Sequence, residues 1–189
     1  MEDSPLMRVT FDLSEKDLRY FRSALQKARK SAKSHEESVI IGGARELVEE
    51  VGAGRPPDFI GERIAKLQDL IAMLEDDEWR LTGPDRARVL NALAYFVDPD
   101  DLIPDKVPGI GYLDDAIMVE LVVQELRHEI DAYEDFCEFR KTRPKKTVAE
   151  GLESRRVQLQ SRMRRRRRRD RSARSSSHSR SSKSPFSLW

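Results

Sequence analysis

The sequence predicts an all-α protein: a compact bundle of about five helices around one long central helix, followed by a basic helix and a disordered Arg/Ser-rich tail. Three observations lead to this prediction. Apolar residues recur at the three- and four-residue spacing of helices through most of residues 14–141. Glycine and proline interrupt that spacing at a few places, which marks the turns. Charge then divides the chain, because residues 151–189 carry a net charge of +11 and the remainder a net charge of −10.

The first helix has the clearest start signal. Ser14 is predicted to be its N-cap residue, and Asp17 stands three residues later, where an acidic side chain completes a capping box. Leu13 and Leu18 have the spacing of a hydrophobic staple across this helix end. We expect the helix to end near Ser34.

Four further helices are predicted from apolar stripes and their boundaries. The second covers residues 36–51, and the third runs from residue 58 to the acidic segment 75–78. A Gly-Pro turn starts the fourth at residue 84. The fifth covers residues 113–141 and would be about 40 Å long, which makes it the predicted central helix.

Several classes of protein are excluded or disfavoured. No apolar stretch approaches the ~20 residues that cross a bilayer, and the acidic start of the chain does not resemble a signal peptide. Cys137 is the only cysteine, so the chain can form neither an intrachain disulfide nor a thiolate zinc site. The expected location is the cytoplasm, with attachment to the inner face of the membrane as a possibility.

Charge and composition suggest three segments. Residues 1–143 form an acidic helical domain, residues 144–170 a basic amphipathic helix, and residues 171–189 a disordered tail in which nine serines alternate with basic residues.

The longest motif lies between the fourth and fifth helices, in residues 95–115. It reads D-L-I-P-D, followed by P-G, an apolar residue and finally D-D. This pattern resembles the signature of the YkvA-like family, small and mostly bacterial proteins that carry a domain of unknown function. The signature covers residues 84–123. The resemblance implies a compact helical domain with suspected membrane association, and it implies no activity and no catalytic residues.

The acidic residues of this motif allow two interpretations. In the preferred one they cap helix ends, since carboxylates are stabilised by the positive N-terminal end of a helix. In the alternative they converge on a hard cation such as Mg²⁺ or Ca²⁺. The spacing is not that of an EF-hand. The candidate metal ligands are Asp98, Asp100, Asp101, Asp105, Asp114 and Asp115.

No catalytic or cofactor site is predicted. Glu125 and His128 form an E-x-x-H unit, but di-iron bundles need two such units, so we interpret the pair as part of a solvated helix face. The sequence contains no nucleophile elbow, P-loop or dinucleotide fingerprint. We therefore expect a protein that is not an enzyme and binds no small-molecule substrate.

The basic segment suggests two functions. In the first hypothesis the protein is a non-catalytic adaptor attached to nucleic acid, because arginine pairs well with phosphate. In the second it is a peripheral membrane protein, with the same arginines on anionic lipid and Phe186, Leu188 and Trp189 at the headgroup level. The helical domain could also hold a protein partner. The candidate polyanion-binding residues are Arg155, Arg156, Arg162, Arg164, Arg165, Arg166, Arg167, Arg168 and Arg169.

The opposite charges of the two parts predict a contact between them. Without a partner, the basic segment would lie on the acidic patches 75–78 and 129–138. We expect this contact to be loose, since exposed ion pairs contribute only ~0–1 kcal/mol. Deletion of residues 144–189 should then leave the melting temperature nearly unchanged.

Overall fold

The computed structural model describes residues 12–31, 35–54, 56–97, 112–142 and 148–181, and the described parts contain six α-helices and no strand. The helices are α1 (Glu15–Ser31), α2 (Glu37–Gly54), α3 (Asp58–Glu75), α4 (Gly83–Leu93), α5 (Leu113–Lys141) and α6 (Val148–Ser181). A 3₁₀ turn, Ala94–Val97, continues α4. The predicted all-α bundle is confirmed, and the bounds of the first five helices lie within a few residues of those expected.

The capping box at the start of α1 is present. The Ser14 backbone N–H donates to Asp17 Oδ2 at 2.9 Å, and the Asp17 N–H donates to Ser14 Oγ at 3.3 Å. Each side chain thus satisfies a backbone N–H that has no partner within the helix.

One of the two adjacent glycines of α2 lets another element approach closely. A Cβ atom on Gly43 would lie 2.5 Å from the backbone oxygen of Phe96, whereas nothing lies within 4 Å of the corresponding position at Gly42. Gly43 therefore allows the 3₁₀ turn to pack directly on α2. This turn contains the first three residues of the 95–115 motif.

Helix α5 is the centre of the bundle, as predicted. It contacts α1, α3, α4 and α6. Its side chains Tyr133 and Phe136 pack on Trp79, with ring centroids 5.7 and 5.1 Å apart. Trp79 is completely buried in the turn between α3 and α4, so this cluster fixes that turn against the C-terminal half of α5.

The predicted loose contact of the basic segment is wrong for α6. Leu159 and Met163 are each 1% exposed, and Leu152 is 9% exposed, all within the same core as the other helices. Gln160 is also buried and donates a hydrogen bond to the Trp79 carbonyl at 2.8 Å. The narrow apolar stripe of α6 was recognisable in the sequence. It is sufficient to dock the helix because α5 offers a complementary apolar face. The basic helix is an integral part of the bundle.

Helix α6 also extends further than predicted. A disordered tail was expected from Arg171, but the helix continues to Ser181. A helix that has already started adds further residues at little cost. The remaining residues 182–189, including the three apolar residues proposed to reach the headgroup level, lie outside the described part of the chain.

Candidate anion-binding site

Two acidic side chains under α6 are buried and paired with its arginines. Arg164 Nε donates to Asp85 Oδ2 at 2.6 Å, and Arg167 donates through Nη2 to Asp85 Oδ1 at 2.7 Å and through Nη1 to Glu129 Oε1 at 2.6 Å. The side chains of Asp85 and Glu129 are 4% and 0% exposed. Buried charges require such partners, so these contacts lock α6 onto α4 and α5.

The ion pairs continue as a network to α1. Arg88 Nε lies 3.0 Å from Glu129 Oε1, and the Arg88 Nη2 group donates to the Glu125 carbonyl at 2.9 Å. The Glu125 carboxylate in turn accepts a hydrogen bond of 2.7 Å from Arg29. Four helices therefore share one set of alternating charges.

The network changes the protonation equilibria of its members. Burial by itself would raise the pKa of Asp85, but the hydrogen bonds from Arg167 and Arg164 outweigh that effect and hold its pKa below the ordinary value. Burial would lower the pKa of Arg167, and its hydrogen bonds to Asp85 and Glu129 raise it instead. Both groups are therefore charged at neutral pH.

Four other arginines predicted to bind a polyanion also have partners within the chain. Arg162 lies 3.5 Å from Asp135, and Arg166 lies 3.7 Å from Asp131, both on α5. These contacts place α6 along 129–138, one of the two acidic patches expected from the charge pattern. At the other patch, 75–78, Glu75 pairs with Arg45, and Asp76 and Glu78 pair with Arg140. Within and beside the helix, Arg156 pairs with Glu153 at 3.0 Å, and the Arg155 guanidinium stacks on the Phe139 ring at 5.4 Å.

The remaining three predicted arginines face outward. Arg165, Arg168 and Arg169 are exposed, and no ion pair or hydrogen bond joins them to any other described residue. Residues three and four apart share one face of a helix, so the three guanidinium groups form a patch on the side of α6 opposite the core. We refer to Arg165, Arg168 and Arg169 as the outer arginine face.

The structure tests only a small part of the proposed cation site. Asp114 and Asp115 lie in the first turn of α5, as predicted, and are 1% and 2% exposed. The other four candidates, in residues 98–105, lie outside the described part of the chain. Among described residues, no three His, Cys, Asp or Glu side chains are grouped so that they could hold a metal ion.

The interpretation of Glu125 and His128 as a solvated face is wrong. His128 is 14% exposed, and its Nε2 atom lies 2.8 Å from Asp170 Oδ2 of α6, while Glu125 binds the arginines described above. Side chains of α1 and α6 pack against this side of α5. The E-x-x-H unit by itself cannot indicate such contacts, because they come from distant parts of the chain.

Sequence reasoning also missed the two buried acids. Glu129 had a recognisable signal, because it stands three residues after Leu126 and four before Tyr133, within the apolar stripe of α5. An acidic residue on such a stripe indicates a buried partner. Asp85 was hidden by its position in the first turn of α4, where an acidic residue is expected for helix stability alone.

Comparison with known proteins identifies the family. Residues 85–121 match the family described as "Protein of unknown function (DUF1232)". A protein of Bacillus subtilis (strain 168), named "Uncharacterized membrane protein YkvA", is 32% identical over 77 residues, which make up 38% of this chain and 71% of that protein. The chain belongs to the YkvA-like family. No solved structure matches it.

The family segment and the arginine helix are linked in this YkvA-like protein. The match begins at Asp85, the buried acid that holds Arg164 and Arg167, and it extends into α5. Helix α6 lies beyond the matched segment. Among the helices that the structure describes, none has the length and apolar character needed to cross a membrane.

Proposed function

We propose that this YkvA-like protein is a non-catalytic peripheral membrane protein that binds the anionic lipid surface of the cytoplasmic leaflet through the outer arginine face of α6. The supporting observation is the division of the α6 arginines into two sets. The inner set neutralises buried acids and fixes the helix, whereas the outer set has no described partner within the chain.

The arrangement suits a flat, negatively charged surface. Because α6 is docked, its outer arginines are held on one face and need no ordering on contact. Each arginine near an anionic bilayer contributes about 1 kcal/mol, so three give roughly 3 kcal/mol, enough for reversible attachment only. The name of the B. subtilis relative, a membrane protein, favours lipid over nucleic acid as the partner.

The test is co-sedimentation of the full chain with vesicles of phosphatidylcholine alone and of phosphatidylcholine mixed with phosphatidylglycerol. We expect binding only to the mixed vesicles, and we expect the triple variant R165Q/R168Q/R169Q to lose most of it. The matched control K16Q/R19Q/K30Q removes three exposed positive charges from α1 and should bind like the wild type.

Two results would contradict the proposal. Equal binding of both triple variants would show that the charge of the whole protein, rather than the outer arginine face, attracts the vesicles. Binding to a DNA or RNA duplex that depends on the same three arginines, with no binding to the mixed vesicles, would support the nucleic-acid hypothesis instead.

A further inference from the structure

Two cavities of different chemistry meet beside α5. The first is an apolar groove of about 270 Å³ between α1, α3 and the start of α5. Leu13 and Phe59 line it and are 37% and 42% exposed. Arg22, Arg63, Glu120 and Gln124 are its polar lining residues, and its apolar lining residues are Leu13, Leu18, Phe59, Leu113, Ala116, Ile117 and Leu121.

The second cavity is a cleft of about 480 Å³ between α1, α4, α5 and α6. Its charged lining consists of six arginines and two acids, Glu125 and Asp170. The arginines are Arg22, Arg29, Arg88, Arg127, Arg167 and Arg171. Arg22, Leu121 and Gln124 line both cavities, so the basic cleft and the apolar groove are adjacent.

The arginines of the cleft differ in how firmly they are bound. Arg29, Arg88 and Arg167 belong to the buried network and have strong partners. Arg171 has no partner among the described residues, and Arg22 is half exposed and forms an ion pair with the exposed Glu15 at 3.7 Å. Among the arginines that line the cleft, Arg171 therefore carries a positive charge that the described part of the chain does not neutralise.

Asp170 occupies the position that a ligand anion would take. Its carboxylate accepts a hydrogen bond from Arg127 and lies 2.8 Å from His128 Nε2. The side chain is 38% exposed, unlike the buried Asp85 and Glu129, so it can be displaced without burying an unpaired charge. The phosphodiester of a phospholipid offers similar oxygen acceptors and the same single negative charge.

We propose that the two cavities form one binding site for a single anionic phospholipid, with its phosphate at Arg127 and His128 in place of Asp170 and an acyl chain in the apolar groove. This inference rests on the proposed membrane function and adds a specific lipid contact to it. Charge complementarity selects the phosphate, and the apolar groove beside the basic cleft selects an amphiphile over a free phosphate. Together the two cavities fall within the ~300–1,000 Å³ typical of ligand sites.

The experiment is calorimetric titration of the full chain with dihexanoyl phosphatidylglycerol, kept below its micelle-forming concentration. Inorganic phosphate and dihexanoyl phosphatidylcholine serve as comparison ligands. We expect the phosphatidylglycerol to bind at least tenfold more tightly than phosphate, because burial of about two methylene groups already gives roughly that factor. The zwitterionic phosphatidylcholine should bind more weakly than the phosphatidylglycerol.

Variants separate the two parts of the site. Ile117→Glu places a charge in the apolar groove and should abolish the preference over phosphate, whereas Val39→Glu, at an exposed apolar position outside both cavities, should not. Arg22→Gln should weaken binding of the lipid and of phosphate several-fold, and Arg19→Gln on the same helix is its control. Both glutamine variants change exposed side chains, so they test the proposal even if Ile117→Glu does not fold.

Asp170→Asn gives the most specific result. If Asp170 competes with the ligand, loss of its charge raises lipid affinity several-fold. If its role is purely structural, the substitution lowers lipid affinity or leaves it unchanged. Equal affinity for phosphate and phosphatidylglycerol, or unchanged affinity in Arg22→Gln, would overturn the two-part site. If the two-part site is refuted in this way but the protein still binds vesicles, the proposed membrane contact through the outer arginine face stands. If the protein binds monomeric phosphatidylglycerol but not vesicles, the proposed membrane function is refuted and the lipid site is not.

Discussion

Arg167 is the residue whose loss should most clearly release α6. Its side chain is 19% exposed and bridges two acids on different helices, at 2.6 Å to Glu129 and 2.7 Å to Asp85. A hydrogen bond to a charged group contributes about 1.5–3 kcal/mol. Because Arg164 still holds Asp85, and Arg88 still lies beside Glu129, we use the lower end of that range for each bond.

Arg167→Gln should therefore reduce the free energy of unfolding by about 3 kcal/mol. In a chain of this size, that loss corresponds to a fall in melting temperature of roughly 6–12 °C. The measurement is urea denaturation followed by circular dichroism, together with a thermal melt. Arg168→Gln is the matched control, since it removes the same charge from the outer arginine face, and it should change stability by less than about 0.5 kcal/mol.

A second variant tests whether geometry or charge alone matters. Arg167→Lys keeps the positive charge but has a single ammonium group, which cannot reproduce the planar fork that reaches both acids. We expect a loss between those of the control and Arg167→Gln. If Arg167→Gln and Arg168→Gln were equally stable, the buried ion pairs would not hold α6, and the argument for an inner and an outer set of arginines would fail.

Three further changes have defined outcomes. Leu159→Ala should lower the free energy of unfolding, measured by urea denaturation, by about 2–5 kcal/mol. Its control, Val157→Ala at an exposed position of the same helix, should change it by less than about 0.5 kcal/mol. Gly42→Ala should stabilise the protein by up to roughly 1 kcal/mol, whereas Gly43→Ala should destabilise it, because only the latter methyl group meets backbone atoms; thermal melts of the pair decide this. The pKa of Asp85 is lower in the folded than in the unfolded state, so its contribution to stability is fully present above the ordinary value of 3.8 and is lost as the pH falls through the lower folded value. Melting temperatures from neutral pH down to about pH 3 should show this loss, with a shallower decline in Asp85→Asn.

The sequence predicted those features that depend on neighbouring residues. The capping box at Ser14 and the bounds of α3 and α5 follow from side chains within one or two helical turns, and such signals can be read locally. The first turn of α5, with Asp114 and Asp115, was placed for the same reason.

The docking of α6 could not be predicted in this way. Its arginines outnumber its apolar residues, so composition indicates a solvated segment, and the residues that reverse this conclusion are far away in the chain. Arg164 and Arg167 meet Asp85 across 79 and 82 residues, and no rule of spacing connects such positions. The basic cleft was missed for a related reason, since α1, α4, α5 and α6 each supply part of its wall.

The long separation between α6 and its partners also determines when this helix can form its contacts. A chain is synthesised from its N-terminus, so α1–α5 emerge from the ribosome before α6 does. Until then, the carboxylates of Asp85 and Glu129 remain hydrated, and the apolar face that later covers Leu159 is open to chaperones or to another chain. Closure of a loop of about eighty residues completes the bundle, and we expect this to be the last step of assembly. The outer arginine face is therefore held on a fixed helix only after α4 and α5 have folded, so the proposed attachment to a membrane would require the folded bundle.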